Sequence, residues 1–215
     1  MVNIYARALL LTILIVGAWV VFSYSFEGQR NADLLSQIDS VITQEAATRS
    51  YLDYLESRGE EERYCQVFQT HIQQQNEKLF PLLASLEEAS HNALANDYIK
   101  VRQRFQSANA QLFFSLKLYQ IKCPSSEALQ RPILYFFPDN APCSDCLLQS
   151  QILDDVRDTC KTPIQIFAFP VKGGIETVDL LVTDYQITHT PSLVIDDVVY
   201  PGVQTRTAIQ ELLAC

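Results

Sequence analysis

Between Ile121 and Ile133 the spacing of apolar residues changes from that of a helix to that of a strand, and this change divides the chain. Before it, Leu34, Leu35, Ile38, Val41 and Ile42 recur at the three- and four-residue intervals that place side chains on one helical face. After it, Ile133 to Phe137 is a continuous apolar run bounded by prolines, the pattern of a buried strand. No strand pattern interrupts residues 31 to 121, so an all-helical region precedes a mixed one.

The helical region, residues 29 to 122, divides at its own breaks. A first helix is expected from Ala32 to Ser57, ended by Gly59, whose acidic followers suit the start of a second helix near Glu60. The second carries Val67, Phe68, Ile72, Leu79, Leu82, Leu83 and Leu86, with a kink expected at Pro81 and a turn at "EEASHNALAND". The third is expected from Ala93 to Tyr119. Short turns between consecutive helices imply alternating directions, hence an antiparallel, coiled-coil-like bundle or a long hairpin with a third helix along it. Such packing brings the start of the second helix to the end of the third. Cys65 and Cys123 are therefore expected to form a structural disulfide, the alternative being two unpaired buried thiols.

Residues 1 to 28 read as a membrane segment. From Ala8 to Phe26 there is no charge, Arg7 precedes the run and Glu27 follows it, and Trp19, Tyr24 and Phe26 suit an interface. A retained transmembrane helix is the first expectation; a cleaved signal peptide with Val16-Gly17-Ala18 at its cleavage site is the second. Either way the positive-inside bias puts the N-terminus in the cytoplasm and the rest of the chain outside it, in the periplasm or an equivalent compartment. Six cysteines, an even set, fit a place where thiols are oxidised into pairs. A net charge of −9 and a pI near 4.8, with no long basic run, argue against nucleic acid as a partner.

After a linker at 123–130, residues 131–215 carry the strand Ile133–Phe137, a helix from Cys143 to Thr159 and the strand Ile164–Phe169. A turn at Gly173-Gly174, a helix from Glu176 to Tyr185, strands "SLVID" and "VVY", and a helix from Thr205 to Leu213 complete the order βαβαββα. A cysteine that opens a helix faces free N–H groups and the positive end of the helix dipole, both of which favour thiolate. Cys143 is thus the candidate nucleophile, and Cys146, one turn further in, can resolve a mixed disulfide without any cofactor.

The order βαβαββα, a CxxC opening the first helix and Thr190-Pro191 before a hydrophobic strand resemble the thioredoxin superfamily over residues 131–215. The resemblance implies an α/β thioredoxin-like domain behind the helical region and its transmembrane helix. It also implies a cis proline at Pro191 facing the CxxC, and a Thr190 backbone that binds an extended substrate by strand addition. Because the active-site helix and the C-terminal helix of this fold run the same way on one face, it further implies a Cys160–Cys215 disulfide, the alternative being a free C-terminal thiol.

Several residues depart from the family pattern. Phe137 stands where many thioredoxins carry a buried carboxylate, and Pro142 replaces a familiar tryptophan. Between the cysteines, Asp145 either raises the thiol pKa or points to solvent as an early-helix charge, and Ser144 is a hydrogen-bond donor. His71 and His91 are expected on solvated helix faces.

These features lead to a tethered, extracytoplasmic thiol-disulfide oxidoreductase with protein thiols and disulfides as substrates and a membrane redox partner that recycles it. Two alternatives remain: a non-catalytic thioredoxin-like scaffold of a membrane complex, and a copper or zinc chaperone holding metal with Cys143, Cys146 and His189.

Overall fold

A computed structural model describes the backbone of residues 2–92, 95–124, 130–139 and 141–215, and within these the side chains of all but 2–7, 24, 26–28, 30, 31, 87–92 and 95–97. The elements run α1 (Val2–Ser57), α2 (Glu61–Asn92), α3 (Ala95–Lys122), β1 (Arg131–Pro138), α4 (Ser144–Thr159), β2 (Ile164–Val171), α5 (Glu176–Asp184), β3 (Ser192–Ile195), β4 (Val198–Pro201) and α6 (Arg206–Leu213).

The first helix is one 56-residue element, so the boundary expected near residue 28 is not a break in the backbone. No proline stands between its ends, and charges alone do not stop a helix. It stops at Gly59, whose φ of +69° is the left-handed conformation that caps a helix, with the Glu60 N–H reaching back to the Leu55 carbonyl at 3.2 Å. Pro81 lies inside α2. The helices bury the expected stripes, with Leu34, Ile38, Leu52 and Leu55 of α1 meeting Phe68, Ile72 and Leu79 of α2 and Phe105, Leu112 and Leu116 of α3.

The sheet has the order β2-β1-β3-β4, with β1 parallel to β2 and antiparallel to β3, and β3 antiparallel to β4. Successive β1 residues point to opposite faces. Leu134 and Phe136, with Phe167, Phe169 and Val194, join the core of α1–α3 and α5. Ile133 and Tyr135, with Leu193 and Ile195, pack under α4 and α6 against Leu153, Val156, Ile209 and Leu213. Both faces are covered, which explains the continuous apolar run of β1.

This architecture corrects the expected fold class. The chain is 69% helical, its sheet is small and mixed, and that sheet does not amount to a clear thioredoxin fold. The physical reason is the shared core: Phe113 of α3 sets its ring edge-on to Phe167 of β2 at 5.5 Å, so the helices form one wall of the sheet.

The transmembrane helix and the single-pass location are corrected as well. Among the described residues, no helix is long and apolar enough to cross a membrane. The side chains of Arg7, Tyr24, Phe26, Glu27 and His91 and residues 125–129 of the expected linker lie outside the described residues, as does Ala93, where the third helix was expected to begin.

Candidate functional site

All six cysteines are bonded in pairs: Cys65 to Cys123, Cys143 to Cys146 and Cys160 to Cys215. The first joins the start of α2 to the residue after α3, with Cα atoms 5.7 Å apart. The third joins the cap after α4 to the chain terminus after α6. The second lies at the other end of α4, where that helix begins.

There, Cys143 is the N-cap of α4 in extended backbone, and its sulfur accepts the N–H of Cys146 at 3.1 Å. One of the unsatisfied donors of the first turn is thus aimed at the Cys143 sulfur. Burial within the pair is unequal, since Cys143 is half-buried and Cys146 only 8% exposed. Ser144 and Asp145 are both exposed, so Asp145 sits in the first turn of the helix and faces solvent.

Beneath the pair, the hydroxyl of Tyr135 donates to the Cys146 carbonyl at 2.8 Å. Burial pushes this phenol up to about 12, so at neutral pH it keeps its proton and donates. Phe137 is half-buried beside the Tyr135 ring, 5.6 Å between centroids.

Register brings Thr190 and Pro191 to the same end of the sheet. Ser192, which opens β3, pairs with Phe136 near the end of β1, and the Thr190-Pro191 bond just before it is cis. The Pro191 carbonyl accepts the Gly202 N–H at 2.8 Å, and the Ser192 hydroxyl donates to the His189 carbonyl at 2.7 Å. A cavity of about 170 Å³ at this end is lined by Pro138, Lys172, His189 and Thr190 among others. His189 is exposed, with Nδ1 2.9 Å from the Thr188 hydroxyl. It is not gathered with Cys143 and Cys146 into a ligand set: among the described residues, no group of three or more His, Cys, Asp or Glu side chains is placed to hold a metal ion.

Two polar features were not read from the sequence. The loop between β1 and α4 is pinned by an ion pair from the helical region, Arg102 of α3 to Asp139 at 2.5 Å, with side chains 19% and 7% exposed. Inside the helices, Glu45 accepts from Ser115 at 2.6 Å and Arg49 at 2.9 Å, and lies 2.5 Å from Nε2 of His71. Since a carboxylate only accepts, the His71 proton in this contact is on Nε2. Burial alone pushes the Glu45 carboxyl up, but hydrogen bonds from His71, Ser115 and Arg49, with the charge of His71, outweigh it and hold it at about 2.

The expectation of a solvated His71 is therefore corrected, because it is 4% exposed. A signal was present. Glu45, His71 and Ser115 each fall in register with the apolar stripe of their helix, where a solvated residue does not belong.

No protein-family model, curated protein or solved structure matches this chain.

Proposed function

We propose that the protein is a thiol-disulfide oxidoreductase in which Cys143 exchanges disulfides with protein substrates and Cys146 resolves the mixed disulfide. The reading is carried by the asymmetry of the pair: a half-buried sulfur capping a helix, bonded to a nearly buried one a turn further in. An incoming thiolate attacks the accessible Cys143 sulfur, the bond to Cys146 breaks, and the Cys146 sulfur leaves with the electron pair as thiolate. In the reverse direction the Cys146 thiolate displaces the substrate thiolate and the internal disulfide re-forms.

The motifs Cys143-Ser144-Asp145-Cys146 and Thr190-Pro191, which resemble those of the thioredoxin superfamily, support the same chemistry. An extended substrate backbone would lie along Thr190, at the sheet end where α4 begins. Three formed disulfides suit an oxidising compartment, and a recycling partner would carry a cysteine pair of its own.

The test is trapping. Cys146→Ser removes the resolving sulfur, so mixed disulfides through Cys143 are expected to accumulate under mildly oxidising conditions. Their absence would favour a permanent disulfide in a non-catalytic scaffold.

A further inference from the structure

Gln149 is fully buried on α4, one turn after Cys146. Its Oε1 accepts the backbone N–H of Gln204 at 2.6 Å, which fixes the orientation of the amide, because only the oxygen can face that donor. Its Nε2 is buried and has no hydrogen-bond partner among the described residues. An unsatisfied buried donor is costly, and a native structure that keeps one generally has a use for it.

The position of the amide indicates that use. Residues three apart on a helix share a face, so Gln149 and Cys146, both buried, lie on the same side of α4 in successive turns. While Cys143 and Cys146 are bonded, the Cys146 sulfur is a poor acceptor. Once the bond is cleaved, that sulfur carries a negative charge at a buried site and needs a donor.

We propose that Gln149 is the buried donor that stabilises the Cys146 sulfur after reduction, and so helps to set the reduction potential of the pair. The proposal rests on the oxidoreductase reading and deepens it. In the balanced step, two glutathione thiols are oxidised to glutathione disulfide and the Cys143–Cys146 bond is reduced to two thiols. The first glutathione thiolate bonds to Cys143 and the electron pair of the broken bond goes to Cys146, beside the Gln149 amide. A lower thiol pKa there makes Cys146 a better leaving group.

The experiment compares the full chain with its Gln149→Met variant in glutathione buffers. Removing the donor destabilises the reduced form and relieves the unsatisfied group in the oxidised form, and both effects act in the same direction. The glutathione equilibrium is expected to shift roughly three- to tenfold toward the disulfide, the range of one hydrogen bond. The alkylation profile of Cys146 is expected to move to higher pH. A role confined to anchoring Gln204 would lower thermal stability and leave both unchanged, which would overturn the proposal.

A second measurement needs no variant: the side-chain amide resonance of Gln149 is expected to shift on reduction of the native chain, and an identical resonance in both states counts against the proposal. A native pair that resists glutathone altogether defeats the oxidoreductase reading and this inference with it. A pair that titrates identically with and without the Gln149 amide defeats the inference alone.

Discussion

The sulfur of Cys143 accepts the backbone N–H of Cys146 at 3.1 Å while bonded covalently to the sulfur of that same residue. The donor is a main-chain group in the first turn of α4, not a side chain that titrates. On the proposed oxidoreductase reading, the same N–H would stabilise a Cys143 thiolate after cleavage, the form that reacts. Cys146, nearly buried, has no comparable exposure to solvent and must be reached from within.

The ion pair between Arg102 and Asp139 ties the loop before this site to α3. Arg102→Ala leaves a mostly buried carboxylate without its guanidinium and is expected to cost about 2 kcal/mol, below the range for a fully buried pair because Arg102 is partly exposed. Faster hydrogen exchange across residues 139–146, with slower disulfide exchange, is the expected readout. Unchanged exchange would mean that the helical wall does not hold the loop.

Removal of the ring of Phe113, which meets Phe167 across the boundary between α3 and β2, tests whether helices and sheet share one cooperative core. Phe113→Ala is expected to cost roughly 3–5 kcal/mol, the usual range for a buried aromatic. Helical circular dichroism and near-ultraviolet signals are expected to melt together, at a lower temperature. Two separate transitions, only one of them shifted, would contradict the shared core.

Acid should weaken the helical region through Glu45. Its carboxyl is held at about 2 in the fold, against an ordinary value of 4.5. A depressed carboxyl contributes stability that is present above its unfolded value and is lost as pH falls from about 4.5 toward 2, on the order of 3 kcal/mol. Glu45→Gln is expected to be less stable at neutral pH and to show a flatter stability profile through that window. A variant that keeps the native acid dependence would place its origin in other carboxylates.

The Cys65–Cys123 bond closes a loop with a sequence separation of 58, for which the chain-entropy model gives roughly 4 kcal/mol. Replacing both cysteines by serine is expected to lower stability by up to that amount while disulfide exchange at Cys143 continues. Loss of exchange in a folded double variant would give this bond a part in the chemistry.

Much of this arrangement is legible in local sequence. The helical stripes, the buried run of β1 and the placement of Cys143 at a helix start depend on residues near one another, and period and capping report them. What escaped depends on docking. Arg102 and Asp139 meet only because α3 lies along the sheet, and no local pattern couples them. The fold class went astray for the same reason: residues 131–215 taken alone suggest an α/β domain, whereas Leu134, Phe136 and Phe167 complete a core built mainly by long helices. Glu45 and His71 were readable as polar residues on apolar stripes, but their partnership across α1 and α2 was not. At the N-terminus, the apolar composition that suggested a membrane span is not matched by a sufficiently long apolar helix among the described residues.

The most direct test of the central claim is a glutathione titration of the full chain, with alkylation and peptide mass mapping to score each cysteine separately. The account predicts that Cys143 and Cys146 exchange together within the range of glutathione potentials, while Cys65–Cys123 and Cys160–Cys215 stay bonded. A Cys143–Cys146 bond that resists reduction as the other two do would contradict it and make the pair a structural crosslink.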